Sequence, residues 1–150
     1  MSDRPSDELR VFEDEYVTVD QCESCLVPGY LVVRLTGPAV TMARLTPRAS
    51  GRLGEMLSRA ARAIEDVVAP ERVYALSFCE LDQRLHFHLF PRTRPLLDAY
   101  WRATGSGGEP VSGPKLFEWA RTAIVPGSPV PPGLNGVEAT CAALRATMKG

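Results

Sequence analysis

The sequence predicts an α+β fold: a mostly antiparallel sheet of about five strands, one long helix packed on it, and a helical C-terminal extension. Short apolar runs rich in β-branched residues indicate the strands. One long segment repeats apolar residues at spacings of three and four, which indicates the helix. Two strand-like runs separated by about five residues indicate an antiparallel hairpin. The 150 residues, 45% of them hydrophobic, are enough for one core and typical of one domain.

Three strands are predicted before the long helix. Residues 1–10 are polar and acidic, which predicts a disordered tail and does not resemble a signal peptide. Residues 11–20 predict two short strands joined by an acidic turn. Residues 22–29 carry two cysteines and a Pro-Gly pair, as in a loop. Residues 30–35 are apolar and β-branched, and predict the third strand.

The long helix has a clear beginning, face and end. Thr46 is a predicted N-cap, and Pro47 suits the first helical position. One apolar stripe is formed by Leu53, Leu57, Ala60, Ile64 and Val67. Pro70 ends the helix after about 20 residues. We expect this helix to cover one face of the sheet.

A hairpin is predicted next, with strands over residues 72–78 and 84–90 joined by residues 79–83. Because side chains alternate along a strand, the second of these strands has two different faces. The apolar face should pack against the long helix and carries Leu85, Phe87 and Leu89. The opposite face carries Arg84, His86, His88 and Phe90.

The rest of the chain changes character. Residues 96–103, 115–123 and 137–148 predict three short helices, separated by segments rich in glycine and proline. We therefore divide the chain into a tail over 1–10, a domain over 11–95, and an extension over 96–150 that packs on the same domain. Within the extension, Trp101 and Phe117 are predicted to pack in the core or, alternatively, to stack on a base.

His86 and His88 are the only two histidines of the chain, and they share a predicted strand face. Their backbones should lie about 7 Å apart, so both rings can reach one phosphate. Neutral imidazole is a competent nucleophile near neutral pH, and protonated imidazole is a donor or general acid. Arg84 on the same face would add a positive charge suited to phosphate.

Two other interpretations of this pair stay open on the residues alone. The histidines can be metal ligands, with a third ligand from Glu80, Asp82 or a cysteine. They can also sit on a half-exposed face without any function. Cys22 and Cys25 form a Cys-x-x-Cys pair, which is either a zinc site or two free thiols. A zinc site there would need Cys79 or Cys141 to complete it.

Two segments resemble motifs of the histidine triad (HIT) superfamily. Residues 84–92, Arg-Leu-His-Phe-His-Leu-Phe-Pro-Arg, resemble its signature, in which three alternating histidines are followed by Pro-Arg. Residues 28–33, Pro-Gly-Tyr-Leu-Val-Val, resemble its Pro-Gly-His/Tyr-x-Leu-Val strand. The resemblance covers residues 11–95 and implies a HIT-like fold. It also implies a nucleotide hydrolase or nucleotidyl transferase, acting at the α-phosphate, that needs no metal for the chemistry.

The resemblance assigns roles to individual residues. His86 matches the central histidine, which attacks the α-phosphorus and forms a nucleotidyl-histidine intermediate. His88 matches the third histidine, which contacts the phosphate. The predicted substrate-binding residues are Arg84, Glu80, Tyr30 and Arg92. Among them, Arg84 would contact a phosphate and Glu80 a ribose or an amine.

Several positions depart from the family pattern. Arg84 stands at the first histidine of the triad, and Pro38 stands where the family often has a further supporting histidine. Cys79-Glu80 replaces Gly-Gln, and Leu81 replaces a phosphate-contacting serine. These departures point to a specialised substrate or, as an alternative, to a catalytically weakened nucleotide-binding module.

Composition limits the partners. The net charge of −1 gives no electrostatic signature for extended nucleic acid. No apolar run approaches the roughly 20 residues that cross a bilayer. We therefore predict a cytoplasmic location. The resemblance implies a homodimer whose partner is a nucleotide or another phosphate-bearing small molecule. No cofactor is predicted, with zinc at Cys22 and Cys25 as the alternative.

Overall fold

The computed structural model describes residues 7–149 and contains one five-stranded sheet in the order β1-β2-β3-β5-β4, with every neighbouring pair antiparallel. The strands are β1 Arg10–Glu13, β2 Val17–Gln21, β3 Leu31–Leu35, β4 Arg72–Leu76 and β5 His86–Arg92. The helices are α1 Pro47–Val68, α2 Arg94–Thr104, α3 Gly113–Ala123 and α4 Val137–Met148, and a 3-10 turn spans Met42–Arg44. The predicted α+β architecture is confirmed. Within residues 7–149, no helix has the length and apolar character needed to cross a membrane.

Helix α1 covers one face of the sheet, as its apolar stripe predicts. Thr46 caps it by accepting a hydrogen bond from the Ala49 amide at 3.1 Å, and it ends at Ala69 in a left-handed conformation. Its buried residues pack with the inward side chains of β2, β3 and β5; this first core includes Met56, Ala60, Ile64, Val19, Val33, Leu85 and Leu89. Burial of this apolar surface is the main source of the fold's stability.

The C-terminal helices divide between the two faces of the sheet. Helix α4 joins the first core through Cys141, Leu144 and Met148. Helices α2 and α3 build a second core on the opposite face; it includes Leu96, Leu97, Leu116, Ala120, Tyr30 and Phe90. The predicted extension therefore packs on the domain at two places, and α2 and α3 lie on the face that carries the histidines.

Several strand boundaries differ from the sequence-based prediction; β4 ends at Leu76 and not at residue 78, and β5 ends at Arg92 and not at residue 90. Residues 1–6 of the predicted tail lie outside the described residues. The structure places a turn at 7–9 and begins β1 at Arg10, where the Gln21 amide donates to the Leu9 carbonyl at 2.9 Å. Strand β5 begins at His86 and not at Arg84. The Asp82 carboxylate accepts from the Arg84 amide at 3.1 Å, and such a local bond competes with a strand ladder.

Gly29 turns the chain into β3 and should not tolerate a side chain. Its φ is +87°, and a Cβ added there would lie 2.7 Å from Val68 Cγ2. Gly37 has a φ of +92° with nothing within 4 Å of an added Cβ, so it is a matched control. Left-handed backbone should cost about 1–2 kcal/mol in either alanine variant. The clash should cost Gly29→Ala about 1–3 kcal/mol more in the free energy of unfolding, measured by urea denaturation. Equal losses in the two variants would contradict this packing.

Candidate active site

His86 and His88 lie together on the sheet face opposite α1. Their ring centroids are 5.1 Å apart. The antiparallel pairing of β3 with β5 sets Arg34 opposite His86 and Val32 opposite His88. The alternation of β5 therefore brings both imidazoles to one place and adds a guanidinium from the neighbouring strand. Arg34 was not among the predicted site residues.

The His86 ring is held by backbone. Its Nδ1 lies 2.7 Å from the Arg84 carbonyl oxygen. A carbonyl can only accept, so Nδ1 carries the proton, and in the neutral ring the lone pair is on Nε2. The Ser77 hydroxyl donates to the His86 carbonyl at 2.7 Å, which fixes the backbone at this end of β5. His86 is buried, with 7% of its surface exposed.

The His88 ring is held by side chains. The Tyr30 hydroxyl lies 2.6 Å from His88 Nδ1, and Arg121 Nη1 donates to the same hydroxyl at 3.2 Å. Burial, and then electrostatic interaction with His86, Arg121 and Arg34, lowers the pKa of His88 to about 4. At neutral pH the His88 ring is therefore uncharged.

A cleft of about 560 Å³ opens beside His88. Its lining comes from β2 and the following loop, β3, the loop before β5, and α3; it consists of Asp20, Gln21, Cys22, Glu23, Ser24, Val32, Arg34, Leu81, Asp82, Arg84, His88 and Arg121. Arg34 Nε donates to Asp82 at 2.9 Å, and Arg84 donates to both oxygens of that carboxylate at 3.0 and 2.9 Å. Hydrogen bonds from Arg84 hold the pKa of Asp82 well below its usual range. Arg34 and Arg84 therefore share the Asp82 carboxylate at one side of the cleft.

Asp20 is a buried carboxylate in the same lining. Its Oδ1 accepts from Arg10 Nε, whereas Oδ2 is buried and has no hydrogen-bond partner among residues 7–149. Burial raises the pKa of Asp20. An unsatisfied buried acceptor is costly, so this oxygen is suited to a donor group of a ligand. Sequence reasoning missed Asp20, because its place in the cleft depends on the pairing of β2 with β3.

The structure brings together only part of the predicted substrate contacts. Arg84 lines the cleft, although it lies outside β5. Tyr30 is fully buried, so it acts on the site through His88. Arg92 is at the far end of β5, where it donates to the Tyr74 hydroxyl at 3.2 Å and pairs with Glu71 at 3.4 Å, outside the cleft lining. Glu80 is exposed and is also absent from that lining.

Within residues 7–149, no cysteine is grouped with two further side chains of the kinds that ligate metals. Cys22 lies 3.5 Å from the Ser24 hydroxyl, and the Cys25 thiol donates to the Ala120 carbonyl at 3.4 Å. Burial raises the pKa of Cys25 to about 11. Across the described part of the chain, no three His, Cys, Asp or Glu side chains are grouped closely enough to hold a metal ion. In this part of the chain, neither the Cys22–Cys25 pair nor the two histidines has the further ligands that a zinc site requires.

The two aromatic residues singled out in the extension differ in position. Phe117 packs edge-on against Tyr30 and Phe90, with centroids 6.0 and 5.3 Å apart, and lies 6.3 Å from the His88 ring. Trp101 lies under the Arg94 guanidinium at 5.2 Å. Phe117 is therefore a packing residue that contacts the aromatic side chains around His88.

No protein-family model and no curated protein matches this chain. Solved structures do match it. A hypothetical histidine triad nucleotide-binding protein from Sulfolobus tokodaii aligns with a TM-score of 0.60 and 14% identity, and the alignment covers 94% of this chain and 83% of that one. A zinc-bound histidine triad family protein from Mycobacterium smegmatis aligns with a TM-score of 0.61 and 16% identity, and the alignment covers 98% of this chain and 86% of that one. A HIT-family protein from Bacillus subtilis aligns with a TM-score of 0.54 and 21% identity, and the alignment covers 81% of this chain and 87% of that one.

These neighbours share one fold. The chain therefore has the histidine triad fold in a divergent sequence, and the predicted resemblance is confirmed at that level. The match extends over the C-terminal helices as well as residues 11–95, since it covers 98% of the chain in the Mycobacterium comparison.

Proposed function

We propose that the protein is a nucleotide hydrolase or nucleotidyl transferase that acts at the α-phosphate through a covalent nucleotidyl-His86 intermediate. The observation that carries this proposal is the 2.7 Å bond from His86 Nδ1 to the Arg84 carbonyl. It directs the lone pair of the neutral ring to Nε2, which is the form that a nucleophilic imidazole needs. The nucleotide-binding protein of the same fold from Sulfolobus tokodaii adds support for the class of ligand.

The two chemical steps follow from that lone pair. His86 Nε2 attacks the α-phosphorus, a phosphorus–nitrogen bond forms, and the bond to the leaving group breaks with its electron pair. A water molecule or another acceptor then attacks the same phosphorus. The phosphorus–nitrogen bond breaks, its electron pair returns to Nε2, and the proton of the attacking water passes to solvent or to the released group.

The charge state of His88 limits the leaving group. With a pKa of about 4, His88 is a neutral hydrogen-bond donor at pH 7 and a poor general acid. A leaving group that is stable as an anion, such as a phosphate or nucleotide, suits this site better than an amine that must be protonated. Arg34 and Arg84 line the same cleft and supply positive charge for phosphate oxygens.

Asp20 suits the sugar end of such a substrate. Asp20 lines the cleft, and its buried Oδ2 has no hydrogen-bond partner within residues 7–149. A ribose hydroxyl can donate to it and would satisfy the buried oxygen. In this proposal the nucleoside extends along the β2 side of the cleft, and the phosphates lie between His88 and the guanidiniums of Arg34 and Arg84.

Hydrolysis in water enriched in ¹⁸O tests this function. Dinucleoside polyphosphates, nucleoside diphosphates and nucleoside phosphoramidates form the substrate panel. We expect turnover of a phosphate anhydride, with the label in the α-phosphate of the released nucleoside monophosphate. Label in the other product, or no turnover anywhere in the panel, would overturn the proposal.

A second candidate is a nucleotide-binding module without turnover. The burial of His86, which is absent from the cleft lining while His88 is present, favours this candidate. It predicts that adenosine monophosphate raises the melting temperature of the protein while the whole panel stays intact. Product formation from any member of the panel would exclude it.

A further inference from the structure

Helix α3 supplies a residue to the histidine site that the proposed chemistry does not yet use. The buried side chains of Leu116 and Ala120 fix one face of α3 on the second core. One turn apart on the adjacent face, Phe117 and Arg121 point toward the site, with the guanidinium 5.4 Å from the Phe117 ring centroid. Arg121 is itself exposed and lines the cleft with His88.

Only one direction of the hydrogen bonds through Tyr30 gives every donor in the chain an acceptor. A guanidinium only donates, so the Tyr30 hydroxyl accepts from Arg121. That hydroxyl then directs its own proton to His88 Nδ1, which lies 2.6 Å away. Burial raises the pKa of Tyr30 well above its usual range, so this proton is present at neutral pH.

We propose that Arg121 is a positioning residue that, through the Tyr30 hydroxyl, holds the neutral His88 ring in the tautomer with its proton on Nε2. The mechanistic value of this arrangement rests on the proposed function. His88 Nε2–H is the donor that would face a phosphate oxygen, and the opposite tautomer would present a lone pair to an anion. The C-terminal extension therefore completes the site from α3 and is more than a structural cover.

Other charged groups face the same ring and must be separated from Arg121 in any test. The groups that line the cleft or contact the His88 ring come from β2 and the following loop, β3, β5 and the loop before β5; they are Asp20, Glu23, Arg34, His86, Asp82 and Arg84. None of these side chains donates to the Tyr30 hydroxyl in the described part of the chain. A readout of the tautomer is therefore specific to the chain from Arg121 to Tyr30 to His88.

Nitrogen-15 NMR of the two histidines is the test, on wild type and Arg121→Gln, with Arg121→Lys as the conservative variant. Arg62→Gln is the matched control, because Arg62 is exposed on α1, against the opposite face of the sheet. In wild type and in the control we expect a single Nε2–H tautomer for His88. Arg121→Gln should bring in the Nδ1–H tautomer and raise the pKa of His88, and Arg121→Lys should retain most of the wild-type spectrum.

A double variant separates an effect that passes through the Tyr30 hydroxyl from a direct effect of the Arg121 charge on His88. In a Tyr30→Phe background, Arg121→Gln should cause no further change in the tautomer ratio, because the connecting hydroxyl is gone. Identical His88 nitrogen shifts in Arg121→Gln and Arg62→Gln would overturn the proposal, as would an Nδ1–H tautomer in wild type. The measurement needs no turnover, so its failure is distinguishable from failure of the proposed function.

Discussion

His86→Asn should lower turnover by roughly 10³-fold or more, because it removes the proposed nucleophile. The asparagine amide can still donate to the Arg84 carbonyl, which His86 Nδ1 reaches at 2.7 Å in the wild type. The backbone and the cleft should therefore stay in place. We expect nucleotide binding, measured by calorimetry, to change much less than the rate constant, measured by product release.

Cys79 is the competing nucleophile and provides the comparison. Its thiol lies 3.8 Å from His86 Nδ1 and 3.4 Å from the Ser77 hydroxyl, and its backbone has a φ of +54°. Cys79→Ser should keep most of the activity. A Cys79→Ser variant without activity beside an active His86→Asn variant would reassign the nucleophile to the thiol.

Phe90→Ala should cost about 3–5 kcal/mol in the free energy of unfolding. Phe90 is fully buried and packs on Tyr30 and Phe117, with centroids 5.3 Å away in each case, and on Tyr74 at 6.2 Å. Its removal leaves a cavity under the histidine site between β5 and α3. Urea denaturation, with the midpoint and slope compared with wild type, measures the effect.

Phe78→Ala is the control for that loss. Phe78 has the same side chain but is 67% exposed, so its replacement should change the free energy of unfolding by no more than about 0.5 kcal/mol. Similar losses in the two variants would show that the second core is not packed around Phe90.

The parts of the site that the sequence predicts are those encoded locally. The period of two in β5 puts His86 and His88 on one face and Leu85 and Leu89 on the other, and the structure has both sets where the alternation places them. Helix α1 was predictable for the same reason, since Thr46, Pro47 and the apolar stripe are local signals.

The positions of the remaining site residues depend on tertiary packing or, for Arg84, on a local hydrogen bond that competes with strand pairing. Arg34 reaches the histidines through strand register, and Arg121 reaches them from a helix 91 residues after Tyr30. No spacing rule along the chain reveals either contact. Arg84 was placed on the strand because the alternation continues through it, but the Asp82 carboxylate binds its amide and guanidinium. Its carbonyl, and not its side chain, orients His86.

Mass spectrometry of the protein, quenched during turnover of a phosphate anhydride nucleotide, tests the central claim most directly. Peptide mapping follows under alkaline conditions, in which a phosphorus–nitrogen bond to histidine survives. The account predicts one nucleotidyl group on His86 and none on the His86→Asn variant. Turnover without any adduct in a burst-phase quench, or a nucleotidyl group on His88 or Cys79, would contradict it.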